Sequence, residues 1–161
     1  PLDTSFTAEA PCENGMWVVA DKAAGTIKLP AAATDKPIGI VYTTEKEYDY
    51  MHYGLKTFGR KIAGDYPRVG ILGVGDTVTT NCFQYDNSTY ATITALETAL
   101  AAAEAGTTPM YVVPGVSGTG VNKAAPALTT SKPSSGIYGK VVKYYTVPNG
   151  EKAIKYQIIS L

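Results

Sequence analysis

Two short apolar runs rich in β-branched residues, at residues 69–74 and 77–80, set the strongest limit on what this chain can fold into. They are separated by Gly75 and Asp76, a pair that favours a tight turn with φ above zero. Further glycines inside the first run leave room for a neighbouring backbone or a bulge. The pattern predicts two strands that form the central ribbon of a compact β-barrel or sandwich.

Most other apolar stretches of the 161-residue chain are also short and typical of strands. They lie at residues 16–20, 26–29, 38–43, 110–113, 138–147 and 153–161. One exception is the alanine-rich stretch from Thr92 to Ala105, whose spacing predicts a helix ended by Gly106. The sequence therefore predicts a single, mainly β domain spanning residues 1–161, a small β-barrel or sandwich with one helix.

Three segments lack this regular pattern. Residues 1–13 are predicted to form an extended N-terminal arm outside the core, which gains order by docking. Residues 44–66 are predicted to form a long insertion or protruding loop with some strand character. Residues 115–136, rich in Gly, Ser, Thr, Ala and Pro, are predicted to form a long surface excursion with Leu128 among its few apolar anchors.

The formal net charge is zero, which gives no bulk attraction to nucleic acid or to an anionic membrane, and neither is expected as a partner. The charges are unevenly spread, since residues 1–21 carry only acids and residues 106–161 carry six lysines against Glu151. Either these are two solvated faces, or an acidic arm docks on a basic surface of a neighbouring copy. Cys12 and Cys82 form neither a disulfide framework nor a zinc motif, and no targeting or transmembrane segment is recognised, so folding in a reducing cytoplasm is expected.

Catalytic motifs are weak throughout the sequence. His52 is the one histidine, and no nucleophile or orienting partner accompanies it in the pattern that catalysis requires. The glycines at residues 70–75 do not have the dinucleotide-binding spacing. The acids Glu45, Glu47 and Asp49 would share one strand face, where they could bind a cation, act as a glycosidase pair, or simply discourage edge-to-edge aggregation. We predict no catalytic residues, no cofactor and no metal site.

A contact surface is the more promising kind of site. The chain has twelve tyrosines against three phenylalanines, and tyrosine is enriched at protein interfaces. An equally good explanation is that these rings cover the chain's own core. The candidate partner-binding residues lie in the arm and in the tyrosine-rich segment from Tyr48 to Tyr66: Leu2, Phe6, Tyr48, Tyr50, His52 and Tyr53.

The order of motifs between residues 15 and 81 resembles a known family. The stretches DKAAGTI at residues 21–27, KPIGIVY at residues 36–42 and RVGILGVGD at residues 68–76 are similar to those of head-decoration (capsid cement) and related minor structural proteins of tailed bacteriophages. The predicted helix and the excursion at residues 115–136 depart from the simplest members.

The resemblance implies a non-catalytic virion protein on the outer surface of the icosahedral capsid, made in the host bacterial cytoplasm. It would bind the major capsid protein and staple neighbouring subunits, and it would contact other copies of itself, with a trimer as one option.

Two other functions remain open from the residues. One is a carbohydrate- or cell-surface-binding β-module displayed on a virion fibre or tail, with Trp17, Tyr50 and Tyr53 as a stacking platform for sugars. The other is a small hydrolase that uses the acidic cluster at residues 45–49.

Overall fold

The structure, a computed structural model, describes residues 2–3, 6–32, 34–36, 38–43, 63–64, 66–115, 125–148 and 150–161. Across these residues it is mainly β, as the sequence predicts. Its elements in chain order are β1 (Leu2–Asp3), β2 (Thr7–Ala8), β3 (Trp17–Asp21), β4 (Thr26–Lys28), β5 (Ile38–Val41), β6 (Val69–Ile71), β7 (Thr77–Thr80), α1 (Ile93–Glu104), β8 (Tyr111–Val113), β9 (Ala127–Thr129), β10 (Tyr138–Thr146) and β11 (Lys152–Ser160).

The strands form two sheets that share one hydrophobic cluster. The first sheet has the strand order β1-β6-β5-β3-β4-β2, and the second has the order β7-β11-β10-β8-β9. Trp17 of the first sheet packs edge-to-face on Tyr156 of the second, with ring centroids 5.9 Å apart, and its indole N–H donates to the Tyr156 hydroxyl at 2.8 Å. Among the described residues neither sheet closes on itself, so the arrangement is sandwich-like rather than a closed barrel.

The first sheet is buried on both faces. Alternate residues of β3 belong to different clusters: Trp17 and Val19 lie in the shared cluster, whereas Val18 and Ala20 lie in a second cluster on the opposite side. This explains why β3 has a continuous apolar sequence instead of an apolar–polar alternation.

The second cluster is covered by the N-terminal segment. The Phe6 side chain is 2% exposed, and Ala8 and Cys12 are buried beside it. The backbone is tied to the sheet as well, because β1 pairs with β6 and β2 pairs in parallel with β4. The prediction that residues 1–13 form an arm outside the core is therefore wrong for the described part of this segment.

The segment at residues 69–80 does not form a central ribbon, so that prediction is also wrong. Its first strand, β6, belongs to the first sheet, and its second strand, β7, lies at the edge of the second sheet. The turn between them has the predicted geometry, since Gly75 has φ of +93°. The Gly75 N–H donates to the Ile158 carbonyl at 2.9 Å, which fixes this corner onto β11.

The C-terminal hairpin and the helix are found where the sequence places them. Strands β10 and β11 pair antiparallel, and Ile154, Tyr156 and Ile158 point into the shared cluster. The helix α1 begins after Thr92, whose side chain accepts a hydrogen bond from the Ala95 N–H at 3.2 Å. Its buried side chains are Leu96, Leu100 and Ala103.

The predicted surface excursion at residues 115–136 is partly a piece of the sheet. Residues 127–129 form β9, which pairs with β8, and Leu128 is buried in the shared cluster as the predicted anchor. Ala125 is fully buried in the second cluster. The prediction of a surface excursion is thus wrong for these residues, whereas residues 116–124 lie outside the described part of the chain.

Candidate partner-binding surface

Two exposed tyrosines and an arginine lie near the point where β5 ends and β6 begins. These strands are antiparallel, with Val41 opposite Val69, so the residue after β5 lies beside the residue before β6. The Tyr42 N–H accordingly donates to the Arg68 carbonyl at 2.8 Å. Tyr42 is 63% exposed, Tyr66 is 67% exposed, and Arg68 is also exposed. We refer to Tyr42, Tyr66 and Arg68 as the tyrosine edge.

The backbone below the tyrosine edge is firmly held. The Asn14 side-chain amide donates to the Thr43 carbonyl at 3.0 Å, and its oxygen accepts from the Thr43 N–H at 2.7 Å. The Gly15 N–H donates to the Val41 carbonyl at 3.0 Å. Because this backbone is already ordered, a partner that contacts Tyr42 would lose little free energy in ordering it.

The tyrosine edge consists of residue types that are enriched in protein interfaces. Tyrosine and arginine are enriched among the residues that carry the binding energy of interfaces. A tyrosine ring contributes a large apolar area and a hydroxyl that can hydrogen-bond, at a low cost in side-chain entropy.

The structure places the predicted contact residues differently from the sequence analysis. Phe6 is wrong as a contact residue, because it is buried in the second cluster. Leu2 lies in β1, where its backbone pairs with Gly70. The remaining candidates, Tyr48, Tyr50, His52 and Tyr53, lie outside the described residues, as do the acids of residues 45–49.

Trp17 is not available to stack on a sugar. It is fully buried between the two sheets, and its indole N–H is used by the Tyr156 hydroxyl. Burial also raises the pKa of that hydroxyl, against the opposing effect of the Trp17 hydrogen bond. The prediction that Trp17 belongs to a sugar-binding platform is therefore wrong.

The shifted ionisable groups of the described residues have structural causes. Burial, with a smaller contribution from the Glu13 charge, raises the pKa of the Cys82 thiol to about 12, so Cys82 behaves as a small apolar core residue. Hydrogen bonds from Ser88 and Thr89 lower the pKa of Asp86 to about 2, which is the signature of a side chain that holds a turn. The described residues include no cluster of three or more His, Cys, Asp and Glu that could hold a metal ion.

A groove of about 460 Å³ lies beside the turn between β10 and β11. It is lined by uncharged residues, which are Thr79, Thr80, Asn81, Val147, Pro148 and Ala153. It therefore offers hydroxyl and amide groups for hydrogen bonding, but no general acid or base.

The tyrosine-rich segment of the sequence analysis ends at Tyr66, whereas Tyr42 and Arg68 were missed, although a signal for them exists. Tyr42 lies near the end of the predicted strand at residues 38–43, and Tyr66 lies three residues before the predicted strand at residues 69–74. An antiparallel pairing of these strands would bring the two residues to one end of a sheet.

No helix among the described residues is both long and apolar enough to cross a membrane. Comparison of the chain with models of protein families, with curated proteins and with solved structures gives no match in any of the three.

Proposed function

We propose that this chain is a non-catalytic structural protein of a virion, which binds the outside of a tailed-phage capsid and bridges or stabilises neighbouring major capsid subunits. The observation that carries the proposal is the tyrosine edge, a set of exposed tyrosine and arginine side chains whose backbone is hydrogen-bonded at Tyr42. The class of partner comes from the resemblance of residues 15–81 to head-decoration proteins.

The packing of the chain fits this role. The first sheet is covered on both faces, so the body is well packed and can present contact residues without rearranging. A shell offers many equivalent sites, so a modest contact at each one suffices when a decorating protein also touches its neighbours. Because only the folded form would bind the shell, binding would further stabilise that folded form by mass action.

The first test is whether the chain belongs to a particle. Tailed-phage particles from the biological source of the chain are separated on a density gradient and probed with antibodies against the purified protein. We expect the chain to band with the heads, in a fixed ratio to the major capsid protein. Its presence only among unassembled proteins would contradict the proposal.

The second test concerns the surface. The double variant Tyr42→Ala/Tyr66→Ala is expected to lose at least about tenfold in affinity for heads that lack the chain, since truncation of two interface aromatics commonly costs more than 1.4 kcal/mol. Its thermal stability should change little, because both rings are exposed.

A matched control is Val74→Ala/Ile93→Ala, which removes exposed apolar side chains from other elements. This control is expected to bind heads as the unmodified protein does. Equal loss in both double variants would show that the tyrosine edge is not the contact.

The carbohydrate-binding alternative is separated by a glycan array. Under the proposal the purified protein binds no glycan, whereas a hit that is lost in the Tyr42→Ala/Tyr66→Ala variant would assign the tyrosine edge to sugar stacking instead.

A further inference from the structure

The second sheet has an outer face that the shared cluster does not cover. Along β11, Ile154, Tyr156 and Ile158 point inward, and the intervening Lys155 and Gln157 point to the opposite face. Ile159, the last residue of the outward set, is 41% exposed. This strand therefore sets a buried side and a solvent side for the whole sheet.

Strand register gathers lysines on this outer face. Lys143 of β10 lies directly opposite Lys155 of β11, and Lys140 lies opposite Gln157. Residues directly opposite one another in a sheet project from the same face. We refer to Lys140, Lys143 and Lys155 as the lysine face. Residues of the flanking strands that share this side, by the same register, are Thr77, Thr79 and Tyr111.

The positive charge of the lysine face is not compensated within the described structure. In the part of the chain that the structure describes, none of the three ammonium groups has an ion-pair partner, and no carboxylate projects from the paired positions around them. Lys152, by contrast, pairs with Glu97 on α1. The lysine face is thus a concentrated positive patch on a chain whose formal net charge is zero.

The pairing of Lys143 with Lys155 is unfavourable for the isolated protein. Like charges directly opposite in a sheet destabilise it. An arrangement that lowers stability and has no opposite charge among the described residues to offset it is typical of a functional surface, because an external partner can supply that charge.

We infer that the lysine face binds a flat, carboxylate-rich surface of a protein partner. Charge complementarity identifies the partner's chemistry, and the open β-sheet supplies a broad face to place against it. The inference goes beyond the proposed function, because it concerns a second surface and does not depend on what the tyrosine edge binds.

A protein surface fits better than a nucleic acid. Binding to a phosphate backbone at physiological salt depends on many cationic contacts, and the lysine face offers three, none of them arginine. The nearby rings are already engaged: the Lys143 ammonium lies 5.5 Å from the Tyr145 ring centroid, and Tyr111 packs edge-to-face on Tyr138 at 5.8 Å. Rings held in this way are poor platforms for stacking bases.

The test measures binding of two labelled probes to the full chain by fluorescence anisotropy. One probe is a short polyglutamate peptide and the other is a single-stranded oligothymidylate of equal formal charge. At an ionic strength of about 20 mM we expect the polyglutamate peptide to bind, and we expect its affinity to fall steeply by about 200 mM as the charges are screened.

The deciding variant is Lys140→Gln/Lys143→Gln/Lys155→Gln, for which we expect a loss of at least about tenfold in affinity for the peptide. The control, Lys22→Gln/Lys28→Gln/Lys132→Gln, removes the same net charge from exposed lysines elsewhere and should stay within about twofold of the unmodified protein. The melting temperature of the deciding variant should be equal or higher, because the repulsion between Lys143 and Lys155 is removed.

Three results would overturn the inference. Equal loss in both triple variants would mean that overall charge, and not this face, attracts the peptide. Tighter binding of the oligothymidylate, lost in the deciding variant, would assign the face to nucleic acid. Absence of binding to either probe at low salt would show that the face is only solvated. Each of these results is independent of whether the chain bands with phage heads.

Discussion

The two sheets differ in how many of their faces are covered. Both faces of the first sheet pack against side chains, with Trp17 and Val19 on one side and Val18 and Ala20 on the other. Among the described residues, the second sheet packs on the shared cluster with its inner face and leaves Lys155, Gln157 and Ile159 on the outer one. The first sheet therefore contributes mainly to stability, and the second contributes both to stability and to an accessible surface.

This difference indicates where a partner can bind. A sheet that is covered on both sides exposes side chains only at its edges and strand ends, which is where the tyrosine edge lies. A sheet with an open face can offer a broad area, as the lysine face does. The two candidate surfaces follow from the packing of the sheet that carries each of them.

The largest expected effect comes from the N-terminal segment that covers the first sheet. Phe6→Ala should lower the free energy of unfolding by about 3–5 kcal/mol, because a buried ring is replaced by a cavity. Urea unfolding measures the change. The matched variant Ile159→Ala on the open face of β11 should lose about 1 kcal/mol or less. Similar losses in the two variants would remove the distinction between the sheets.

The next effect concerns the contact that joins the sheets. Trp17→Phe should cost about 1–3 kcal/mol, because the buried Tyr156 hydroxyl loses its hydrogen-bond donor. The double variant Trp17→Phe/Tyr156→Phe should be more stable than the sum of the two single losses predicts, since both polar partners are then gone. Strict additivity in thermal or urea unfolding would contradict a direct coupling.

A smaller effect is expected at the start of α1, which packs on the second sheet. Thr92→Ala should cost about 1 kcal/mol, because the Ala95 N–H loses its side-chain acceptor. Thr94→Ala, at an exposed position in the first turn of the helix, should stay within about 0.5 kcal/mol of the unmodified protein. Both values come from the same unfolding experiment.

The smallest effect is the pH dependence of the ion pair between α1 and β11. Hydrogen bonds from Lys152 and then Tyr144 lower the pKa of Glu97 below 4.5, so its contribution to stability is complete above that pH and is lost as the pH falls through the folded value. The Glu97 hydrogen bond raises the pKa of Lys152 above 10.5, so that contribution is lost as the pH rises further.

The variant Glu97→Gln should therefore differ most from the unmodified protein between about pH 4.5 and pH 10.5, and the difference should shrink on either side. Added salt should reduce it further, because both groups are in contact with solvent. A difference that stays the same from well below pH 4.5 to well above pH 10.5 would show that the charges contribute nothing.

Local patterns in the sequence predicted the elements well. The alternation of Ile154, Tyr156 and Ile158 identified the inner face of β11, and the alanine-rich stretch after Thr92 identified α1. These predictions succeed because period and capping depend on residues close together in the chain.

Non-local pairing explains the errors. Phe6 lies between strands of two residues each, which pair with residues far along the chain, so nothing in its own neighbourhood indicates burial. The segment at residues 69–80 has the sequence of a hairpin, yet its two strands join different sheets. Periodicity cannot distinguish a hairpin from a corner, because both have the same strand–turn–strand pattern.

The two candidate surfaces could be predicted from the sequence only in part. The excess of lysine after residue 106 was visible, but its gathering on one face depends on the bulged register of β10 and β11, including the pairing of Lys143 with Lys155. The tyrosine edge depends on the pairing of β5 with β6, which local sequence does not specify.

The hydrogen bond between Trp17 and Tyr156 joins residues 139 positions apart. A ribosome adding about 5–20 residues per second needs on the order of ten seconds to synthesise that interval. Until then, the inner side of the first sheet has no Tyr156 ring to cover the indole. Nascent chains arrested before residue 156 should accordingly remain sensitive to protease and attractive to chaperones, however much of their N-terminal half has emerged.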